Sequence, residues 1–440
     1  MSARPAIERA SANDLMQRRF APTPAARQIG VLLVLDGDQE PGPGGLRAVL
    51  ATRVPGVARL RQHLVDVPLG CGRPVWVDDP AFDVDRHLTA AVCPPPGDER
   101  ALLDLVASTV AEPLADDRPL WRVTLVHGLA DGRVGLVVVV DHVMVDGIGG
   151  LVALARLVDG AATGSERGFP RPVPSHTMLL IDASRSRLRA LRRAWPAVRR
   201  ATTAVRQLRA GMTGRTPRCS FNQPTGPTRR LGVAWADLEA IRATAQAGGG
   251  TINDLALAVV TGALHDHLLE RGEAAERLVV SVPVAARDPE GGDRYGNRSS
   301  VVPLSLPAVG DTGSRIAEVG AITGSLRAGE RGVTGSVLAP VVRLLGALGV
   351  VAWYIDRQRR VNTFVTNLRG PDTRLHLAGL RVDELVAVNA IGGNVTVAFG
   401  VLSYAGTLSL SVVTDGEHGP DVERLTARVQ EQLDRCAGGS

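Results

Sequence analysis

The sequence predicts a mixed α/β protein of two domains. Its 440 residues are more than one hydrophobic core normally serves. Strand and helix patterns alternate on both sides of a Gly-, Ser-, Pro- and Arg-rich stretch near residues 160–220, so we place the crossover between the domains there. Hydrophobic residues make up 45% and aromatic residues 3%, so we expect globular interiors built from Ala, Val and Leu.

The N-terminal domain is assigned to residues 1–175. Residues 29–35 (IGVLLVL) indicate a buried strand, and the PGPGG turn after it leads into a helix near 46–53. Apolar residues at helical spacing predict a second helix over 98–114. A strand within DDRPLWRVTLVHGL, its hairpin partner VGLVVVV and a helix over GLVALARLV complete this half.

A basic crossover, residues 176–219, leads to the C-terminal domain, residues 220–440. A long helix is predicted over 251–273, because it opens on Thr, Asn and Asp, which favour helix N-termini. Further strands and a last helix near 420–435 follow. The predicted strands lie in RLVVSVPVAAR, SSVVPLSLP, TFVTNLRGP and NVTVAFGVLSYAGTLSLSVVTD.

The composition excludes several chemistries. All 50 basic residues are arginine, which rules out a Walker-type lysine, a Schiff-base lysine and a pyridoxal-phosphate lysine. The sequence has no G-x-S-x-G, no G-x-G-x-x-G after a strand and no H-E-x-x-H. His265 and His267 are two residues apart on different sides of a helix, so we expect surface residues and not metal ligands. We also expect no bound cofactor.

Compartment signals indicate a cytoplasmic protein. Four scattered cysteines without a CxxC pair favour a reducing environment, and the charged N-terminus lacks the apolar core of a secretory signal. Residues 337–355 approach membrane-spanning length. Pro340 and Arg343 favour a buried or interfacial helix there, since arginine is costly in lipid.

A histidine turn follows the most apolar strand. In VVVVDHVMVDGIGG, alternation along the strand should point the side chains of Asp141 and His142 in opposite directions. An imidazole can take a proton from a substrate hydroxyl, so His142 is a candidate general base. Asp146 would orient the ring or pair with an arginine, and Gly147 would allow close approach. The alternative is a core histidine with satisfied hydrogen bonds.

A set of stretches, in order, resembles a known family. They are DDRPLWRV, DHVMVDG, FNQPTGPTRR, TINDLALAVVTGAL, SVPVAARD, GNRSS, NTFVTNLRGP and LSYAGTLSLSVVTD. Together they resemble the bacterial wax ester synthase/acyl-CoA:diacylglycerol acyltransferase family over nearly the whole chain. The resemblance implies two chloramphenicol-acetyltransferase-like domains, with mixed sheets flanked by helices and an active-site tunnel at their interface.

The resemblance also assigns residues. DHVMVDG matches the family motif HHxxxDG, which implies His142 as the base, with Asp141 replacing the first histidine. Pro119, Leu120 and Trp121 match a PLW element, for which we expect a packing role. Arg287 in VPVAARD is the implied partner of Asp146, by similarity to condensation domains.

Asn253 and Asp254 match the family's ND element, and two roles stay open for them. They are suited to cap the helix that they begin. In the functional alternative, Asn253 or a nearby backbone N–H donates to the thioester oxygen as it becomes an oxyanion.

The resemblance implies acyl transfer from acyl-CoA, a co-substrate, to diacylglycerol or a long-chain alcohol. Acylation of a specialised small molecule and non-catalytic lipid binding are the alternatives. Residues 185–215 carry ten arginines and no acidic residue, which suits either a peripheral membrane or lipid-droplet surface or a solvated crossover helix. Few aromatic residues are present to stack on bases, so we do not expect nucleic-acid binding.

Overall fold

The computed structural model describes most of the chain. The described residues are 7–11, 14–15, 18, 23–37, 43–145, 147–161, 169–192, 216–217, 219–285, 299–328, 353 and 355–438. Within them, the predicted mixed α/β fold of two sheets, each flanked by helices, is confirmed.

Helices and strands alternate along the chain as the apolar patterns predict. The helices are α1 (Pro24–Arg27), α2 (Pro43–Arg53), α3 (Glu99–Ala111), α4 (Gly147–Ala155), α5 (His176–Arg192), α6 (Leu238–Ala247), α7 (Ile252–Glu270), α8 (Thr312–Ala328) and α9 (Val422–Ala437). Short 3-10 helices cover Val54–Gly56, Ala58–Arg61 and Val84–His87.

The strands of the N-terminal half are β1 (Gln28–Asp36), β2 (Gln62–Val65), β3 (Val75–Asp78), β4 (Leu88–Val92), β5 (Trp121–His127) and β6 (Val134–Asp141). Those of the C-terminal half are β7 (Arg229–Asp237), β8 (Arg277–Ala285), β9 (Ser299–Pro307), β10 (Thr363–Arg369), β11 (His376–Leu377), β12 (Leu380–Val388), β13 (Val397–Tyr404) and β14 (Thr407–Asp415).

The first sheet has the strand order β11-β12-β1-β6-β5-β4. Its central strand β6 is antiparallel to β1 and β5, and only the pair β4 and β5 runs parallel among its described strands. Strand β12 comes from the C-terminal half and pairs with β1 in antiparallel register. Through this pairing, a strand of the C-terminal half becomes part of the first sheet, which the local sequence pattern does not predict.

The second sheet has the order β7-β14-β13-β10-β8-β9, with β10 parallel to β13 and β8. Helix α7 packs against α6, α8, α9 and β9, and every residue from Asp254 to Leu264 is buried, as expected of a helix surrounded by other elements. Helix α9 covers one side through an apolar stripe that includes Leu425, Val429 and Leu433. These contacts form the core of the C-terminal half.

Helix α3 lies between the two sheets. It begins at Asp98, whose carboxylate accepts the backbone N–H of Ala101 at 2.9 Å. Its buried residues contact β1 and β6 of the first sheet and β7 of the second. Together, α3 and β12 bring the two halves of the chain into direct contact.

Candidate active site

The histidine turn begins where β6 ends, at the centre of the first sheet. The backbone N–H of Asp141 donates to the carbonyl of Leu120 at 3.0 Å, and that of His142 donates to the carbonyl of Arg27 at 2.8 Å. These two bonds attach the turn to the residues just before β5 and β1, the strands on either side of β6. The side chain of His142 is partly exposed, so it does not have the full burial of an ordinary core histidine.

Asp141 is buried beneath the turn and holds it through two contacts. Its carboxylate is buried, and Oδ2 forms an ion pair with Nε of Arg27 at 3.0 Å. Oδ1 accepts the backbone N–H of Val143 at 2.9 Å, which closes the turn around His142. Alternation places Asp141 on the face of Val137 and Val139, which pack toward α3. Asp141 therefore anchors the turn through Arg27.

Gly147 is the first residue of α4 and contacts the second sheet. A Cβ at this position would lie 2.9 Å from Cδ2 of Leu368, closer than real Cβ contacts. Leu368 belongs to β10, and the next residue toward the N-terminus, Asn367, donates from Nδ2 to Oδ1 of Asn253 at 3.3 Å. Strand β10 thus links the histidine turn of the first half to the start of α7 in the second.

Asp254 acts as a helix cap. Its Oδ2 accepts the backbone N–H and the hydroxyl of Thr251 at 2.9 and 2.7 Å, and Thr251 in turn caps the backbone of Asp254. The hydroxyl of Thr323 on α8 donates to Oδ1 at 2.7 Å. The carboxylate is buried and occupied by these contacts. Asn253, the residue before it, is partly exposed and forms the hydrogen bond with Asn367.

The PLW element packs beneath the turn. Trp121 is buried, donates from Nε1 to the carbonyl of Leu60 at 2.7 Å, and stacks on His87 with ring centroids 4.1 Å apart. Burial lowers the pKa of His87, whose Nδ1 lies 2.9 Å from the carbonyl of Trp121. Pro119 is buried, and Leu120 packs against the same cluster while its carbonyl holds Asp141. These residues support the turn.

Two predicted site residues, Asp146 and Arg287, lie outside the described residues. Their pairing stays a prediction. The same applies to residues 193–215 of the arginine-rich segment and to most of residues 337–355.

The structure adds two residues to the site that the sequence pattern does not single out, Arg27 and Asn367. Arg27 lies far along the chain from Asp141, so no local spacing reveals their ion pair. Asn367 lies within NTFVTNLRGP, where its position near the end of a strand was a usable signal. Strand ends carry many site residues in mixed sheets, because they meet at an edge of the fold.

A groove of about 520 Å³ lies between β12 and the β13–β14 hairpin. Arg381 and Asp383 lie on one wall, and Trp235 and Thr407 lie on the other. Strand β1 pairs Gln28 with Asp141 and Asp36 with Arg381, so the groove and the histidine turn lie at opposite ends of that strand. A separation of roughly 25 Å follows from the rise per strand residue.

Of the two histidines expected at the surface, His265 is partly exposed, but His267 is buried, because α7 is covered by other helices. His265 contacts the carbonyl of Ala275 through Nδ1 at 3.1 Å, and burial lowers the pKa of His267. The described residues contain no cluster of three or more metal-ligating side chains. The four cysteines are free and buried, and burial raises the pKa of Cys219 to about 12. No helix within the described ranges has the length and hydropathy needed to cross a bilayer.

Comparison with protein families gives two matches. The wax ester synthase/diacylglycerol acyltransferase catalytic domain matches residues 11–256, and the C-terminal domain of the same family matches residues 295–436. A Mycobacterium tuberculosis protein named a probable diacylglycerol O-acyltransferase is 29% identical over 431 residues, covering 92% of this chain and 90% of that protein. A second protein of that species, provisionally given the same activity in its name, is 31% identical over 417 residues, with 90% and 88% covered.

Solved structures share the fold. The wax ester synthase/diacylglycerol acyltransferase from Marinobacter aquaeolei superimposes with a TM-score of 0.68 at 22% identity, covering 98% of this chain and all of that one (100%). The first condensation domain of the calcium-dependent antibiotic synthetase gives a TM-score of 0.64 at 19% identity, with 99% and 96% covered. The starter condensation domain of rhizomide synthetase, solved with C8-CoA, gives 0.61 at 17%, with 98% and 94% covered.

Proposed function

Because the chain belongs to the wax ester synthase/diacylglycerol acyltransferase family, we propose that it transfers a long-chain acyl group from acyl-CoA to the hydroxyl of a diacylglycerol or a long-chain alcohol. The observation that carries the proposal is the presentation of His142: a partly exposed imidazole on a turn whose backbone is held by Leu120, Arg27 and Asp141. Catalysis needs a base held in place in this way.

In the proposed mechanism, a ring nitrogen of His142 takes the proton from the acceptor hydroxyl as its oxygen attacks the thioester carbon. The carbonyl oxygen gains the negative charge of the tetrahedral intermediate. The C–S bond then breaks, the carbonyl re-forms, and the coenzyme A thiolate leaves with the proton that the imidazole returns. The ester keeps the acceptor's oxygen, and no covalent enzyme intermediate is required.

Asn253 is the proposed donor to the developing oxyanion. Its Oδ1 accepts from Asn367, so the N–H groups of Nδ2 would be the ones that donate to a substrate. A donor of this kind contributes on the order of 3 kcal/mol to the transition state of acyl transfer. Asp254 caps α7 and so fixes the first turn of the helix, which contains Asn253.

We further propose that Asp146 pairs with Arg287 across the two halves and keeps the turn rigid. The division into residues 1–175, 176–219 and 220–440, with the substrate tunnel between the outer two parts, belongs to the same proposal, as does a cytoplasmic location. The contact of Gly147 with Leu368 supports a site where the halves meet, and the hydrogen bond from Asn367 to Asn253 connects this contact to the start of α7.

The test measures coenzyme A release with a thiol reagent. Purified protein is given palmitoyl-CoA with diacylglycerol, with hexadecanol, with a panel of small polar alcohols, or with no acceptor. We expect release to require a lipid acceptor and to fall at least about 100-fold in His142→Ala. His418→Ala, which removes an exposed imidazole in the C-terminal half, serves as the matched control and should keep full activity.

Other outcomes of this assay separate the alternatives. Release with a small polar alcohol alone would indicate a specialised acceptor. Tight binding of palmitoyl-CoA without release under any condition would indicate a lipid-binding protein and would contradict the proposed reaction.

A further inference from the structure

Helix α5 presents apolar residues to solvent on the side opposite its packed face. Leu179 and Ala183 are buried against the fold. Ile181 and Leu188 lie two turns apart on the opposite side, where 46% and 52% of each residue is exposed. A helix that needed only to cover the fold would carry polar residues at these positions.

The loop between β2 and β3 extends this apolar surface. Leu69, in that loop, is fully exposed, with a relative exposure of 103%. The loop lies against α5, because Nη2 of Arg187 donates to the carbonyl of Gly70 at 2.8 Å and a Cβ on Gly70 would lie 3.8 Å from Leu180. We define the α5 surface as the exposed residues Leu69, Leu180, Ile181 and Leu188 with Arg185, Arg187 and Arg189.

The α5 surface is cationic. Arg185, Arg187 and Arg189 are exposed and form no ion pair with any described residue. The acidic residue of the helix, Asp182, is neutralised by Arg9 at 2.6 Å. Asp66, at the start of the neighbouring loop, is paired with Arg18 at 3.3 Å. The excess positive charge therefore surrounds the apolar residues.

We propose that the α5 surface docks on an anionic phospholipid surface. Leucine and isoleucine side chains would enter the boundary between head groups and acyl chains, and the arginines would bind lipid phosphates. The apolar residues lie between arginines that form no ion pair within the described residues. A membrane offers both an anionic surface and an apolar interior to such a pattern. A protein partner would instead need acidic side chains placed opposite these arginines. The docking goes beyond acyl transfer and does not depend on it.

Vesicle flotation tests the proposal directly. The full chain is mixed with vesicles of phosphatidylcholine alone or of phosphatidylcholine with phosphatidylglycerol. We expect binding to the anionic vesicles that weakens in 0.5 M salt, because the charge attraction is screened. The double variant Leu69→Ser/Leu188→Ser should lower the partition coefficient at least about tenfold, through loss of two apolar anchors.

The chain offers a matched control, Leu269→Ser. Leu269 at the end of α7 has the same 52% exposure as Leu188 but lies outside the α5 surface. Its replacement should leave vesicle binding unchanged. Replacing Arg185, Arg187 and Arg189 together by Ser should abolish the preference for anionic vesicles.

Two results would overturn the assignment. One is a wild-type chain that does not float with anionic vesicles, which would leave a protein as the occupant. The other is binding that Leu69→Ser/Leu188→Ser and Leu269→Ser reduce equally. Coenzyme A release with hexadecanol dispersed in neutral detergent, measured without vesicles, should be the same in all these variants, so a failure of docking is distinguishable from a failure of catalysis.

Discussion

At the scale of single residues, Asp141 supplies stability where the family motif has a histidine. Its carboxylate is ion-paired with Arg27 and accepts the N–H of Val143, so two contacts hold the turn from beneath. His142 leaves the strand on the other side of the backbone. The anchoring residue and the proposed base are therefore adjacent residues whose side chains point in opposite directions. The exchange of histidine for aspartate affects the anchoring residue and not the proposed base.

Asp141→Asn is expected to destabilise the fold by about 3 kcal/mol, because it removes the charge of a buried carboxylate that is ion-paired with the partly buried guanidinium of Arg27. Urea unfolding measures the change. Asp36→Asn is the matched control at the other end of β1: its pair with Arg381 is half exposed, so its loss should cost less than about 1 kcal/mol. Equal effects of the two substitutions would contradict the anchoring role.

Two buried histidines predict how stability depends on pH. Burial lowers the pKa of both His87 and His267 below the ordinary value. As pH falls below about 6.5, the unfolded chain takes up protons that the folded chain does not, so stability present at higher pH is lost. The Tm should be lower at pH 5.5 than at 7.5. His267→Phe should reduce this difference, and a Tm that is equal or higher at pH 5.5 would refute the account.

At the scale of elements, the contact between α4 and β10 connects the histidine turn to Asn253. Gly147 allows α4 to start directly against Leu368, and the neighbouring Asn367 reaches Asn253. A displacement of β10 would therefore move a proposed oxyanion donor relative to the proposed base.

Gly147→Ala tests this contact. The added methyl group would overlap Leu368, so we expect a loss of about 1 kcal/mol of stability and a lower kcat for acyl transfer. Gly324→Ala is the control: it is a helical glycine in α8 with nothing within 4 Å of its added Cβ, and alanine there should stabilise by up to about 1 kcal/mol. A Gly147→Ala enzyme as stable and active as the wild type would exclude tight packing at this point.

Local patterns predict most elements of this fold, and long-range pairing explains those they miss. Strands β1 and β6 follow from continuous apolar runs. Strand β12 is harder to detect because Asp383 and Glu384 interrupt its alternation, and a register shift between Val34 and Leu35 of β1 accommodates them. For the site, the motif predicts His142 and Gly147, whereas Arg27 depends on a contact that only the folded sheet creates.

At the scale of the whole molecule, β12 makes the two halves interdependent. It pairs with β1, while the buried hydroxyls of Ser409 and Ser411 donate to the carbonyls of Leu385 and Ala387. Separation of the halves would remove β12 from β1 and leave one edge of β1 unpaired, and separation of the two sheets would expose these carbonyls; both are costly for buried backbone groups.

We therefore expect the chain to unfold as one cooperative unit. Scanning calorimetry should show a single transition whose van't Hoff and calorimetric enthalpies agree. Two resolved transitions would show that the link through β12 is too weak to couple the halves.

Ester formation from an ¹⁸O-labelled alcohol tests the central claim most directly. Hexadecanol labelled at its hydroxyl is incubated with palmitoyl-CoA and either the wild-type protein or His142→Ala. The amount and mass of the extracted ester are then measured by mass spectrometry. The account predicts a labelled ester from the wild type and almost none from the variant. Equal amounts of labelled ester from both proteins would show that the acceptor's proton does not pass to His142.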